Sequence, residues 1–122
     1  MRITLLFPPG WLPYAPYAAL PRLTAYLREQ GHQVVQRDLN VEMYDTLLRP
    51  AFLQSALDRL RQRLAFLPES AARPLRAIEA GGDYLVAQVE PLVRHIRSEA
   101  FYGEPAATVR VIRLLNACLR LA

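Results

Sequence analysis

Arg2-Ile3-Thr4-Leu5-Leu6-Phe7-Pro8-Pro9-Gly10-Trp11 opens the chain, and Gly31-His32-Gln33-Val34-Val35-Gln36-Arg37-Asp38-Leu39-Asn40 follows twenty residues later. Ile3 to Phe7 is a short, nearly continuous apolar run, which predicts a parallel strand buried on both faces. A loop rich in proline and aromatics, Pro8 to Pro16, comes next. A helix is expected from about Tyr17 or Pro21 to Gln30, because Pro21 is tolerated in a first turn and not in a helix interior. Leu20, Leu23 (or Thr24) and Leu27 give that helix an apolar stripe, and Gly31 is placed to end it in a left-handed cap. Gln33 to Leu39 reads as a second strand, less apolar and so nearer the sheet edge. Residues 1–40 thus form a β-α-β unit with the spacing of a right-handed crossover.

The remainder, residues 41–122, reads as a helical extension of the same domain. Val41 to Leu48 makes a short helix stopped by Pro50. Leu53, Leu57, Leu60, Leu64 and Leu67 recur at spacings of four and three, with Arg59, Arg61 and Arg63 largely off the stripe. A further helix is expected from about Pro74 to Ala100, with bends or breaks at Gly81-Gly82 and Pro91. The last starts at Glu104-Pro105 and turns Val111, Leu115, Cys118 and Leu119 inward. Val109-Arg110-Val111-Ile112 has the composition of a strand, but helix is preferred. The fold class is α/β: a partial parallel sheet followed by a mainly helical region.

Composition narrows the function classes. The 122 residues are 52% hydrophobic and 21% charged, which argues against disorder. A single cysteine rules out an internal disulfide or a cysteine-built metal site. No apolar run approaches the ~18 residues of a membrane helix, and the opening run is shorter than the ~7–15 residues of a signal-peptide core. A soluble, cytoplasmic domain is expected. All fifteen basic residues are arginine, and the net charge is +4. They spread from Arg2 to Arg120 without clustering among aromatics, so nucleic-acid binding ranks last.

A two-stranded parallel sheet is not a self-sufficient core. The first strand reads as a central one yet has one convincing neighbour, so either the helical half covers it or the chain is the beginning of a larger fold, and the second is favoured. The strand ending in Phe7-Pro8-Pro9, the loop with Trp11, Pro13, Tyr14 and Pro16, the helix end Leu23 to Val34 and the closing Asp38-Leu39-Asn40 occur in an order that resembles the start of cobalamin-dependent radical S-adenosylmethionine (radical SAM) enzymes. The likeness of residues 41–122, including Ser98-Glu99-Ala100-Phe101-Tyr102, is looser. The resemblance implies a Rossmann-like domain holding cobalamin beside a separate radical SAM barrel, and a reaction of radical alkylation or methyl-transfer type.

Ligands of open α/β sheets sit beyond the carboxyl ends of the strands. Both the Pro8–Pro16 loop and Asp38–Asn40 lie there, and the candidate cofactor-binding residues are Pro8, Pro9, Gly10, Trp11, Tyr14, Asp38 and Asn40. Trp11, Tyr14 and Tyr17 either line a cofactor cavity or anchor the loop over the sheet. Asp38 and Asn40 either bond a polar arm of the ligand or cap the following helix, and Asn40 is the favoured N-cap. The Asp-x-His-x-x-Gly motif of many cobalamin domains is missing, so no lower cobalt ligand is expected. The Cys-x3-Cys-x2-Cys motif is also absent, so a [4Fe–4S] cluster and S-adenosylmethionine would belong to the rest of the enzyme and this chain is not catalytic by itself.

The other conspicuous residues read as structural. His32 follows a helix end, where a cation is mildly favoured. His95 has no second ligand at metal spacing, Cys118 sits on an apolar face, and Arg110, Arg113 and Arg120 form a solvated stripe. Gly81-Gly82 does not follow a strand, so it is no dinucleotide fingerprint. The alternative to the cofactor module is a small non-catalytic α/β-helical adaptor, or split subunit, that docks apolar helices on a partner protein.

Overall fold

A computed structural model describes residues 1–15, 17–103 and 105–122. Pro16, the expected end of the first loop, and Glu104, the expected start of the last helix, lie outside the described residues. The element order is β1 (Arg2–Phe7), α1 (Ala19–Glu29), β2 (Gln33–Asp38), α2 (Leu39–Leu47), α3 (Pro50–Leu64), α4 (Glu69–Ile96), α5 (Ala100–Gly103) and α6 (Pro105–Leu121). The chain divides into two compact units, Met1–Asp45 and Thr46–Ala122.

In the first unit β1 and β2 pair in parallel, from Arg2 opposite Gln33 to Phe7 opposite Asp38. α1 packs on one face of this sheet: Thr24 Oγ1 donates to Gln36 Oε1 at 2.8 Å, and Arg28 reaches the Val34 carbonyl at 3.1 Å. β1 therefore alternates between exposed and half-buried residues, and Leu6 stays 56% exposed. This corrects the expectation of burial on both faces, since a single helix covers a single face. α1 holds Pro21 in its first turn, where no intrahelical N–H is lost. Leu20 and Thr24 are its buried residues, while Leu23 faces outward. Gly31 takes φ +78°, and the Gly31 and His32 N–H groups close on the Arg28 and Leu27 carbonyls, a complete left-handed cap.

The strand-to-helix junction also differs from expectation. α2 begins at Leu39, with no loop after β2, and the capping side chain is Asp38 rather than Asn40. The Asp38 Oδ1 accepts from the N–H groups of Asn40 and Val41, both at 3.0 Å. A helix that starts one residue past Asp38 puts Asn40 in its first turn, too far along to cap it.

The second unit is built on α4, against which α3 and α6 pack. Pro50 starts α3 at its first position, where its missing N–H is immaterial. Leu53, Leu57, Leu85, Val89, Leu92, Val111, Leu115, Cys118 and Leu121 are buried together with Phe101. Leu119, expected inward, is only half-buried. α4 is continuous from Glu69 to Ile96, so the expected breaks at Gly81-Gly82 and Pro91 do not occur. Gly82 is buried where α3 crosses: a Cβ there would lie 2.3 Å from Leu57 Cδ1. The glycine is a close-packing position, not a break. Arg61 ties the same helices together, reaching Glu79 at 3.1 Å and Asp83 at 2.7 Å. Val109 to Ile112 is helical, as preferred over a strand. Among the described residues no helix is long and apolar enough to cross a membrane.

Candidate functional site

Phe7 and Asp38 are the last paired residues of the sheet, so the two chain segments that leave it diverge from one point at its carboxyl edge. From β1 comes the loop beginning at Pro8, and from β2 comes α2. Asn40, 5% exposed, joins them: its Oδ1 accepts from the backbone N–H of Gly10 at 3.0 Å and of Trp11 at 2.8 Å. Gly10 turns the loop toward it with φ +116°, a conformation that a side chain would strain. One helical turn beyond Asn40, the Tyr44 hydroxyl donates to the Trp11 carbonyl at 2.6 Å. Burial, with Tyr14 alongside as a lesser cause, pushes the Tyr44 phenol above its ordinary pKa, so it remains a donor across the physiological range.

The loop also bonds to itself. Trp11 Nε1 donates to the Ala15 carbonyl at 2.9 Å, and Ala15 N–H returns to the Leu12 carbonyl at 3.3 Å. Tyr17 stacks on Phe7 with ring centroids 4.2 Å apart, and Trp11 meets Tyr17 edge-on at 5.7 Å. These contacts fix the backbone but leave Trp11 44%, Leu12 49% and Tyr17 41% exposed. Such a surface is an apolar platform with stiff aromatic rings, suited to a flat or apolar partner.

Each candidate from the sequence has a place here. Pro8, Pro9, Gly10 and Trp11 form the exposed first half of the loop, and Tyr14 is half-buried beside Tyr44. Asp38 is occupied in capping α2, and Asn40 holds the loop. Tyr44 went unnoticed in the sequence. Its position four residues after Asn40 puts both on one helix face, a spacing that would have found it.

Outside this edge, the other conspicuous residues are placed as follows. Cys118 is fully buried and its thiol is pushed up to about 11 by burial. Arg110, Arg113 and Arg120 are exposed. His95 is half-buried, edge-on to Phe101 at 6.0 Å, with Nε2 buried and without a hydrogen-bond partner. An open groove of about 350 Å³ lies along the packed helices α4 and α6, lined by Tyr84, Pro91, Leu92, His95, Arg110 and Leu114, among others. Among the described residues no cluster of His, Cys, Asp and Glu is placed to hold a metal ion. No family model, no curated protein and no solved structure matches the chain.

Proposed function

We propose that the chain is a cobalamin-binding-type module of a radical SAM enzyme and that its first unit is part of a Rossmann-like sheet. The observation that carries this reading is the clamped loop of residues 8–15 at the carboxyl edge of two parallel strands, where ligands of open α/β sheets bind. The residues fit a corrin as a bed and not as an axial ligand. Trp11, Leu12 and Tyr17 offer apolar surface, and Pro8, Pro9 and Gly10 bring exposed backbone. The loop holds no histidine or cysteine.

Bound cobalamin would supply alkyl-transfer chemistry at its cobalt, in partnership with a [4Fe–4S] and S-adenosylmethionine barrel for which this sequence has no cysteine motif. The chain's own residues bind and orient: the aromatic platform excludes water from one ligand face, and Asn40 and Tyr44 keep that platform in place. A cytoplasmic location goes with this reading. Titrating the chain with hydroxocobalamin is the test. A saturable change in the corrin absorption, abolished by Trp11→Ala, is expected, and no saturable change overturns the proposal.

The adaptor reading has one observation in its favour, the apolar surface of the first unit: Leu6, Leu23, Tyr26, Val35 and Val41 are all more than 40% exposed. Light scattering on the purified chain separates the two, since an adaptor surface of that size drives association.

A further inference from the structure

We infer that the groove along α4 and α6 binds a small carboxylate with an apolar body, its headgroup held between Arg110 and His95. The two helices run antiparallel. At one end Cys118 Sγ lies 4.0 Å from the Leu85 carbonyl, while at the other His95 meets Phe101 edge-on and Thr108 donates to the Phe101 carbonyl. His95 and Arg110 therefore border the same end of the groove, one from each helix. Leu92, Val111 and Leu114 continue it as apolar lining. Its volume of about 350 Å³ lies at the lower end of the ~300–1,000 Å³ range of small-molecule sites.

Two observations call for an anionic group at that end. Among the described residues, His95 Nε2 is the one buried side-chain nitrogen or oxygen without a hydrogen-bond partner. A polar atom left so costs stability, and a ligand oxygen that accepts from an Nε2-protonated imidazole removes that cost. Arg110 is the second. It is exposed and makes no ion pair among the described residues, and none of the described residues lining the groove is acidic. The surrounding unit, Thr46–Ala122, holds eleven arginines against seven acidic residues, so its field favours an anion. A carboxylate has two oxygens, one for the guanidinium and one for the imidazole, and charge-assisted bonds of this kind are the stronger ones. The site lies in the helical unit and is independent of the cofactor reading at the strand ends.

Titration of the chain with octanoate and with 1-octanol, followed by the histidine ring resonances, tests this. The chain has two histidines, and His32 in the sheet unit is the internal reference. Octanoate is expected to shift the His95 resonances saturably and to leave those of His32 in place, with 1-octanol bound about tenfold more weakly or less. Arg110→Gln, at an exposed position that leaves the fold intact, is expected to weaken octanoate binding about tenfold. His95→Phe keeps a ring against Phe101 and removes Nε2. It should weaken octanoate binding to a similar degree and raise the unfolding midpoint of the ligand-free chain, because the unpartnered atom is gone. No saturable shift at His95, or equal shifts at both histidines, overturns the site. Equal affinity for octanoate and 1-octanol, or unchanged octanoate affinity in Arg110→Gln, overturns the carboxylate headgroup. An unchanged or lower midpoint in His95→Phe overturns the part given to Nε2.

Discussion

The two units solve the problem of burying apolar surface in opposite ways. Of the fifteen buried apolar residues among those described, Leu20 and Val34 belong to Met1–Asp45 and the other thirteen to Thr46–Ala122. Of the thirteen large apolar residues left exposed, nine lie in the first unit, including Leu6, Trp11, Tyr26 and Val35. Charge follows the same division. Residues 1–45 carry four arginines and four acidic residues, while residues 46–122 carry eleven arginines against seven acidic residues and hence the whole net charge of +4. The helical unit is organised around its own interior. The sheet unit is organised around a polar clamp, Asn40 with Tyr44, and presents its apolar groups outward. The largest expected effect lies in the helical unit: Leu57→Ala, at a fully buried position, should lower the unfolding free energy by about 2–5 kcal/mol. Urea denaturation followed by far-ultraviolet dichroism measures it, and a loss below about 1 kcal/mol would break the claim that this unit has a packed core.

Two adjacent glycines sharpen the contrast within that core. A methyl group on Gly82 would press into Leu57, which is fully buried and has nowhere to move, so Gly82→Ala should destabilise by about 1–3 kcal/mol. One residue earlier, a Cβ on Gly81 meets nothing within 4 Å. Gly81→Ala should therefore stabilise by up to about 1 kcal/mol, through the higher helix propensity of alanine. Opposite signs in paired denaturation curves are the expected result. Equal signs would mean that α3 does not rest on Gly82.

Periodicity made α1, α3, α6 and the two strands legible, because each has a stripe that only one element type can bury: Leu20 with Thr24, Leu53 with Leu57, Val111 with Leu115 and Cys118. It expected bends or breaks in α4 at Gly81-Gly82 and Pro91, whereas the helix runs unbroken and Gly82 is where α3 crosses it. It also misread β1 as doubly covered, because an apolar run carries no information about how many helices the rest of the chain will lay over it. The place of the candidate site, at the carboxyl ends of the strands, is an expectation from topology alone. Its chemistry is not: Asp38 and Asn40 are both favoured caps, and one residue in the start of α2 decides which of them caps and which holds the loop.

That division of labour at the junction is testable at a smaller energy. Asp38→Ala removes the acceptor from the N–H groups of Asn40 and Val41 and should cost about 1 kcal/mol. The effect should stay in the sheet unit: Trp11 emission shifts, because Asn40 loses its rear support, while the far-ultraviolet signal of the longer helices is retained. Full retention of the Trp11 signals would show that the clamp does not depend on the cap.

The smallest expected effect compares the units through alkaline pH. Cys118 lies in the helical core with its thiol pushed up to about 11 by burial, while an unfolded thiol titrates near ~8.5. The folded state thus favours the protonated thiol. Its contribution is fully present below about pH 8.5 and is lost as the pH rises toward 11, since the unfolded chain ionises first. Around pH 9.5 the loss should be on the order of 1 kcal/mol. Tyr44 bears on the sheet unit with the same sign but later, because its phenol starts from about 10 and is raised further by burial. Between pH 8.5 and 9.5 the denaturation midpoint should fall while the Trp11 emission holds, and Cys118→Ala should flatten that part of the profile. A parallel decline of both signals in Cys118→Ala would mean that the two units unfold as one and that their different interiors are not energetically separate.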